Sequence, residues 1–131
     1  MSVADFSPQL AIVVDDQADN RLIFQIALEM AGYVVTCAIN GEQALAILKN
    51  QNFHLMILDL DMPVLNGRDL LKILELQALP MPTHILVATA NVQMTTAIVK
   101  HLADHIIYKP VEVRALIGLA KRLKTDFSSR N

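Results

Sequence analysis

A chain of 131 residues has room for one domain with a single core, and 53% hydrophobic against 18% charged residues excludes disorder except at the ends. A formal charge of −2 and a pI near 6.0 give no general attraction to nucleic acid or an anionic membrane, so partners have to be read from local features. The lone Cys37 excludes an internal disulfide or a cysteine-based zinc site; Met1 to Gln9 is no secretory leader and no apolar run approaches a membrane span, so a cytoplasmic protein is expected.

Residues 1–9 read as a polar N-terminal segment and residues 10–125 as the domain proper. Leu10 to Val14 is an apolar, strand-like run that stops at Asp15-Asp16. From Asn20 to Ala31 the spacing turns helical, with Ile23, Ile26, Ala27 and Met30 on the expected core stripe and Gly32 as the stop. Val34 to Ala38 is a second strand, in which Cys37 reads as a small strand residue. Asn40-Gly41 opens a helix with Ala44, Leu45 and Leu48 on one face. Leu55 to Leu58 is a third strand, ending in Asp59, and Pro63 with Asn66-Gly67 shapes the turn beyond it. Asp69 to Ala78 carries Leu70, Leu71 and Leu74 on a stripe, with Pro80 and Pro82 expected to close it. Thr83 to Ala88 is a fourth strand ending in Thr89, and Met94, Ala97, Ile98 and Leu102 mark a fourth helix weakened by Thr95 and Thr96. His105 to Tyr108 is a short fifth strand before Lys109-Pro110. A last helix is expected from about Val111 to Lys124, with Val113, Leu116, Ile117 and Ala120 apolar, then a polar tail or linker start over residues 126–131.

Strands alternating with helices predict a doubly wound α/β fold with a parallel five-stranded sheet and right-handed crossovers. The strand order 2-1-3-4-5 suits a single five-strand unit and sets the first and third strands side by side at the switch point. Asp15, Asp16 and Asp59 then converge. An apolar run ending in a carboxylate is costly, and three acids in one crevice repel unless a cation sits between them. All-oxygen ligation without nearby His or Cys suits Mg²⁺, and Mg²⁺ completes its shell with phosphoryl oxygen. Thr89 and Lys109 lie on the same rim, where a hydroxyl and an ammonium stabilise the charge of an in-line phosphoryl transfer to Asp59.

Val14-Asp15-Asp16, Leu58-Asp59-Leu60-Asp61-Met62-Pro63 with Asn66-Gly67, Thr89-Ala90 and Lys109-Pro110 resemble the response-regulator receiver domain of two-component signalling over nearly the whole chain. The resemblance implies that Asp59 is the phosphoacceptor, Asp16 a direct Mg²⁺ ligand and Asp15 an acid acting through metal-bound water. It implies further that the Asp61 main-chain carbonyl completes the metal shell, Lys109 pairs with the acyl phosphate and Thr89 is the switch hydroxyl. Asp61 and Asn91 stand where the family tunes hydrolysis of the phosphoryl group. The chain departs from the family at Ile106, where an aromatic switch residue is usual, and at Val111, where Phe is usual. Strand alternation turns Tyr108 the same way as Ile106, so Tyr108 is the candidate substitute. The implied partners are a histidine kinase or histidine phosphotransfer protein and an output domain or partner protein. The last two helices, with Lys100, His101 and Arg114, resemble a dimerisation or docking face.

Simpler readings compete. Asp15-Asp16 alone would read as a helix N-cap pair, and Asp19, Asp69 and Glu75 as surface charges. His54, His84, His101 and His105 share no metal-ligand spacing and read as surface or strand-end residues. Lys121, Arg122, Lys124 and Arg130 form a basic end to the chain, which suits a helix C-terminus without any nucleic acid. A pseudo-receiver docking module, blind to phosphate, is the main alternative; an Asp-x-Asp phosphatase of the haloacid-dehalogenase type fits less well, because Pro63 replaces the usual Thr or Val.

Overall fold

In the computed structural model, residues 8–129 are described, with side chains through residue 124. Five parallel strands, β1 (Gln9–Val14), β2 (Tyr33–Ala38), β3 (Leu55–Leu58), β4 (His84–Thr89) and β5 (His105–Tyr108), pair in the order β2-β1-β3-β4-β5. The helices are α1 (Ala18–Met30), α2 (Gly41–Leu48), α3 (Gly67–Leu76), α4 (Ala97–Leu102) and α5 (Val113–Ser129), with a 3₁₀ turn at Val92–Met94. The fold and strand order are those expected from the sequence.

Strand alternation divides the apolar residues between two layers. Ile12, Val14, Met56, Leu58, Ile85 and Val87 face the layer built by α2, α3 and α4, where Ala44, Leu48, Leu70, Leu71, Leu74 and Val99 are buried. Ala11, Val13, Leu55, Ile57, Leu86 and Ala88 face α1 and α5, against Phe24, Ala27, Leu28, Leu116, Ala120 and Leu123. Tyr33 ties β2 to α5 by donating its hydroxyl to the Ala120 carbonyl at 2.8 Å, and burial pushes its pKa up to about 12.

Several expectations are corrected. On α1 the buried face is Phe24, Ala27 and Leu28, whereas Ile23, Ile26 and Met30 are 43%, 46% and 65% exposed, as is Leu22 at 57%. Two apolar stripes compete on this helix, and the one carrying Phe24 wins the sheet. On α4 the buried residue is Val99; Ala97 is exposed and Met94 belongs to the 3₁₀ turn. Val113 is exposed on α5, and that helix runs on to Ser129, so the polar tail expected from residue 126 is helical as far as it is described. Residues 1–7 of the expected N-terminal segment and residues 130–131 of the tail lie outside the described residues.

His84 is a strand-end histidine as expected, the first residue of β4, but it is buried there, with its ring within 3.9 Å of Asp104. Finally, α3 ends before Pro80. Ala78 adopts φ 50, the Leu79 N–H bonds the Leu74 carbonyl at 3.0 Å and the Ala78 N–H bonds that of Glu75 at 3.2 Å, a Schellman turn made without glycine. The expected stop at Gly32 holds: its φ of 98 is the left-handed conformation that ends α1.

Candidate phosphoacceptor site

The ladders run past the strand ends and deliver the acids to one place. The Asp59 N–H bonds the Val14 carbonyl at 2.9 Å and the Asp15 N–H bonds that of Ala38 at 3.2 Å, so Asp15 and Asp59 emerge side by side from β1 and β3. The loop after Asp59 is held by Asn66, whose side chain caps α3 by accepting the Asp69 N–H at 2.9 Å. Gly67 lets α3 start against Asp59: a Cβ there would stand 2.3 Å from the Asp59 carbonyl oxygen.

Carboxylate oxygens of Asp15, Asp16 and Asp59 all lie within 4.8 Å of one another. Asp15 and Asp59 are buried and Asp16 is half-buried. Lys109 Nζ donates to Asp15 Oδ2 at 2.8 Å and to Asp59 Oδ2 at 3.3 Å, bridging the two buried acids. Asp59 Oδ1 also accepts the Asp61 N–H at 3.2 Å, and Asp15 Oδ1 accepts the Gln17 N–H at 2.9 Å.

Burial pushes the Asp59 carboxyl above its ordinary pKa; the Lys109 charge opposes this and the neighbouring Asp15 adds to it. Burial also works against the Lys109 charge, but the hydrogen bond to Asp15 and the attraction of both acids outweigh it, and the ammonium is held above its ordinary pKa.

The acids open into a cavity of about 460 Å³ lined by Asp16, Gln17, Asn20, Asp59, Asp61, Met62, Pro63, Ala90 and Lys109. Thr89, one residue before the lining residue Ala90, is fully buried and does not itself line the cavity; its Oγ1 accepts the Asn91 N–H at 3.1 Å, and the Asn91 side chain donates Nδ2 to Asp61 Oδ2 at 3.3 Å. Every sequence-predicted acid, the hydroxyl and the lysine therefore gather at one rim. Ile106 packs against the layer of α2, α3 and α4. Tyr108 is exposed and lines a separate cavity of about 300 Å³ with Pro110, Val111, Leu119 and Arg122, a set without Ile106.

Gln17, Asn20 and Arg21 were missed from the sequence. Gln17 and Asn20 line the cavity, and Arg21 Nη1 donates to the Asp15 carbonyl at 2.8 Å. The signal was present: a helix that starts directly after Asp15-Asp16 must put its first turn over the same hollow, and the expected start at Asn20 set it two residues late.

Residues 11–121 match the family model of the response regulator receiver domain. The chain belongs to the response regulator receiver family. It is 34% identical over 114 residues to the response regulator SaeR of Staphylococcus aureus, covering 87% of this chain and 50% of that protein. The chain thus spans about half the length of the curated relatives it matches. Among solved structures, the chemotaxis response regulator CheY4 of Vibrio cholerae is 28% identical with a TM-score of 0.77, covering 89% of this chain and 99% of that one. TrrA of Thermotoga maritima, solved in complex with Mg²⁺ and beryllium fluoride, is 26% identical with a TM-score of 0.74, covering 88% and 98%.

Chemically, this receiver's three clustered acids form an all-oxygen donor set, which fits the Mg²⁺ that the family binds at such a cluster. No helix among the described residues is long and apolar enough to cross a membrane.

Proposed function

We propose that the chain accepts a phosphoryl group on Asp59 from the phosphohistidine of a histidine kinase or histidine phosphotransfer protein, and that the modified state controls a partner or output domain from the cytoplasm. The observation that carries this reading is the clustering of Asp15, Asp16 and Asp59 within 4.8 Å, with Lys109 bridging the two buried members. The unit concerned is residues 10–125.

In the reaction an Asp59 carboxylate oxygen forms a bond to phosphorus as the bond from phosphorus to the imidazole nitrogen breaks, leaving the donor histidine and an acyl phosphate. Asp15, Asp16, Asp59 and the Asp61 main-chain carbonyl would hold Mg²⁺, which when bound supplies positive charge against the phosphoryl oxygens. Lys109, kept charged by the two acids, is placed to exchange its Asp59 contact for one to the acyl phosphate. Thr89 turns its hydroxyl toward the same group, leaving the Asn91 N–H.

The exposed stripe Leu22, Ile23, Ile26 and Met30 lies on the helix that starts beside the acids, and we assign it to docking of the protein donor. The exposed Lys100, His101 and Arg114 on α4 and α5 would serve a dimer or an output partner. The test is incubation with Mg²⁺ and a small phosphodonor, read by intact mass. One added phosphoryl group is expected, and none in Asp59→Asn. Absence in the wild type would leave a docking module blind to phosphate, and steady phosphate release from small phosphoesters would favour a phosphatase.

A further inference from the structure

Asp16 is held differently from the other two acids. Asp15 Oδ1 accepts the Gln17 N–H at 2.9 Å and its Oδ2 accepts from Lys109 Nζ at 2.8 Å; Asp59 Oδ1 accepts the Asp61 N–H at 3.2 Å and its Oδ2 accepts from Lys109 Nζ at 3.3 Å. Both carboxylates are buried and fixed at each oxygen. Asp16 is half-buried, and its Oδ2 accepts only from the Gln17 side-chain Nε2, at 3.4 Å. Among the described residues its Oδ1 is the one carboxylate oxygen of the three acids with no hydrogen bond. One long contact does little to stop a carboxylate turning. The peptide that carries it is fixed instead: Arg21 Nη1 donates to the Asp15 carbonyl, the oxygen of the Asp15-Asp16 peptide, at 2.8 Å, and the Arg21 N–H bonds the Gln17 carbonyl at 3.0 Å. The acid turn is thus tied to the first turn of α1 through both main chain and side chain.

A cation beside three acids has a simpler reading, that of charge compensation. The geometry is against it. Lys109 reaches two carboxylates, whereas among the described residues Arg21 donates its side chain to a neutral carbonyl and to no carboxylate. We propose that Arg21 and Gln17 are positioning residues for the metal: by fixing the Asp15-Asp16 peptide and one Asp16 oxygen, they keep the free Asp16 Oδ1 in the cluster that Mg²⁺ would join. The inference deepens the metal site of the phosphoacceptor reading and rests on it. Groups that orient the ligands of a metal set its affinity without touching it. The charge of Arg21 works in the opposite direction, because a guanidinium beside a divalent cation repels it. On charge alone, removing Arg21 would tighten Mg²⁺ binding; on positioning, it weakens binding in spite of the repulsion relieved. The two roles differ in sign.

The experiment is calorimetric titration of the full chain with Mg²⁺ alone, at a temperature where thermal unfolding shows wild type and variants to be folded. Arg21→Met keeps an apolar stem and removes the donor, and its dissociation constant is expected to rise about tenfold. Gln17→Leu removes the amide donor, leaves the Arg21 bond in place, and is expected to weaken binding about threefold. It carries the test should Arg21→Met fail to fold. A merely structural contact would lower the unfolding temperature of the metal-free variant and leave the dissociation constant unchanged. A constant that is unchanged or lower in either folded variant overturns the proposal. A wild type that takes up no Mg²⁺ overturns the metal site itself, and this inference with it.

Discussion

Replacing Lys109 by Met tests whether one ammonium holds the acid pocket together. The Lys109 side chain is 16% exposed, against 1% for Asp15 and 6% for Asp59, so solvent does little to screen the contacts. At an effective dielectric near 20 the contacts of 2.8 and 3.3 Å correspond to roughly 6 and 5 kcal/mol of gross attraction, much of which is cancelled by the desolvation of three charges. Removing one partner of such a buried set costs about 3–5 kcal/mol, because the carboxylates stay behind uncompensated.

The signature is the pH dependence. Burial already holds the Asp59 pKa above that of an unfolded chain, and loss of Lys109, whose charge lowers it, raises it further. A carboxyl with a raised folded pKa makes the native state bind more protons than the unfolded one, so stability increases as pH falls through the folded pKa toward the unfolded value. Urea unfolding of Lys109→Met is expected to show a deficit of about 3–5 kcal/mol near neutral pH that shrinks on acidification through that window. Millimolar Mg²⁺ should restore more stability to the variant than to the wild type, since the metal replaces the missing cation. A neutral-pH midpoint equal to wild type, or a deficit that grows as pH falls, refutes the reasoning.

Val64 adopts φ 73, a left-handed conformation unfavourable for a β-branched residue, and its side chain is largely exposed. Val64→Asn is expected to raise stability by about 1 kcal/mol with an unchanged denaturant slope, and a lower midpoint would contradict the assigned strain. Ile26→Glu combined with Met30→Glu alters a solvent-facing stripe, so stability is expected to stay within roughly 0.5 kcal/mol per site. Labelling by a small phosphodonor should persist, while transfer from a phosphohistidine protein falls by roughly tenfold or more, as expected when interface anchors are lost. Equal transfer by the double variant would remove α1 from the docking surface.

The legible parts of the sequence were those where one physical signal had no rival. Apolar runs ending in Asp15, Asp59, Thr89 and before Lys109 marked four strand ends, and strand-helix alternation left few topologies, so the strand order and the site could be read together. Where two signals competed, the reading failed. The first helix carries Phe24, Ala27 and Leu28 beside Leu22, Ile23, Ile26 and Met30, and spacing alone cannot say which stripe meets the sheet and which faces solvent. His84 is buried although a histidine at a strand start reads as solvated, because burial there is decided by neighbouring elements. The close of α3 depends on Ala78 in a conformation that alanine rarely takes, so the prolines beyond it were the only visible stop. Asn91, which joins the hydroxyl to the 3₁₀ turn, makes its bonds through loop geometry that no periodicity encodes.

Sheet register explains why these groups form a hollow rather than a flat row. Val14 pairs with Leu58, so Asp15 and Asp59 stand abreast, one residue past their strands. Leu58 pairs with Val87, which sets Ala88 beside Asp59 and Thr89 one residue higher; Thr89 pairs with Tyr108, which lifts Lys109 higher again. Each step is about 3.3 Å of rise, so β4 and β5 form a wall above the floor laid by β1 and β3. From the top of that wall the lysine side chain reaches back over Asp59 to Asp15. Because successive side chains point to opposite faces, a slip of one residue in β3 against β1 would bury Leu60 and Leu58 on the wrong layer as well as displace Asp59. The two apolar layers therefore enforce the spacing of the charged groups, and the cost of holding three acids together falls on a core that cannot relax without moving them apart.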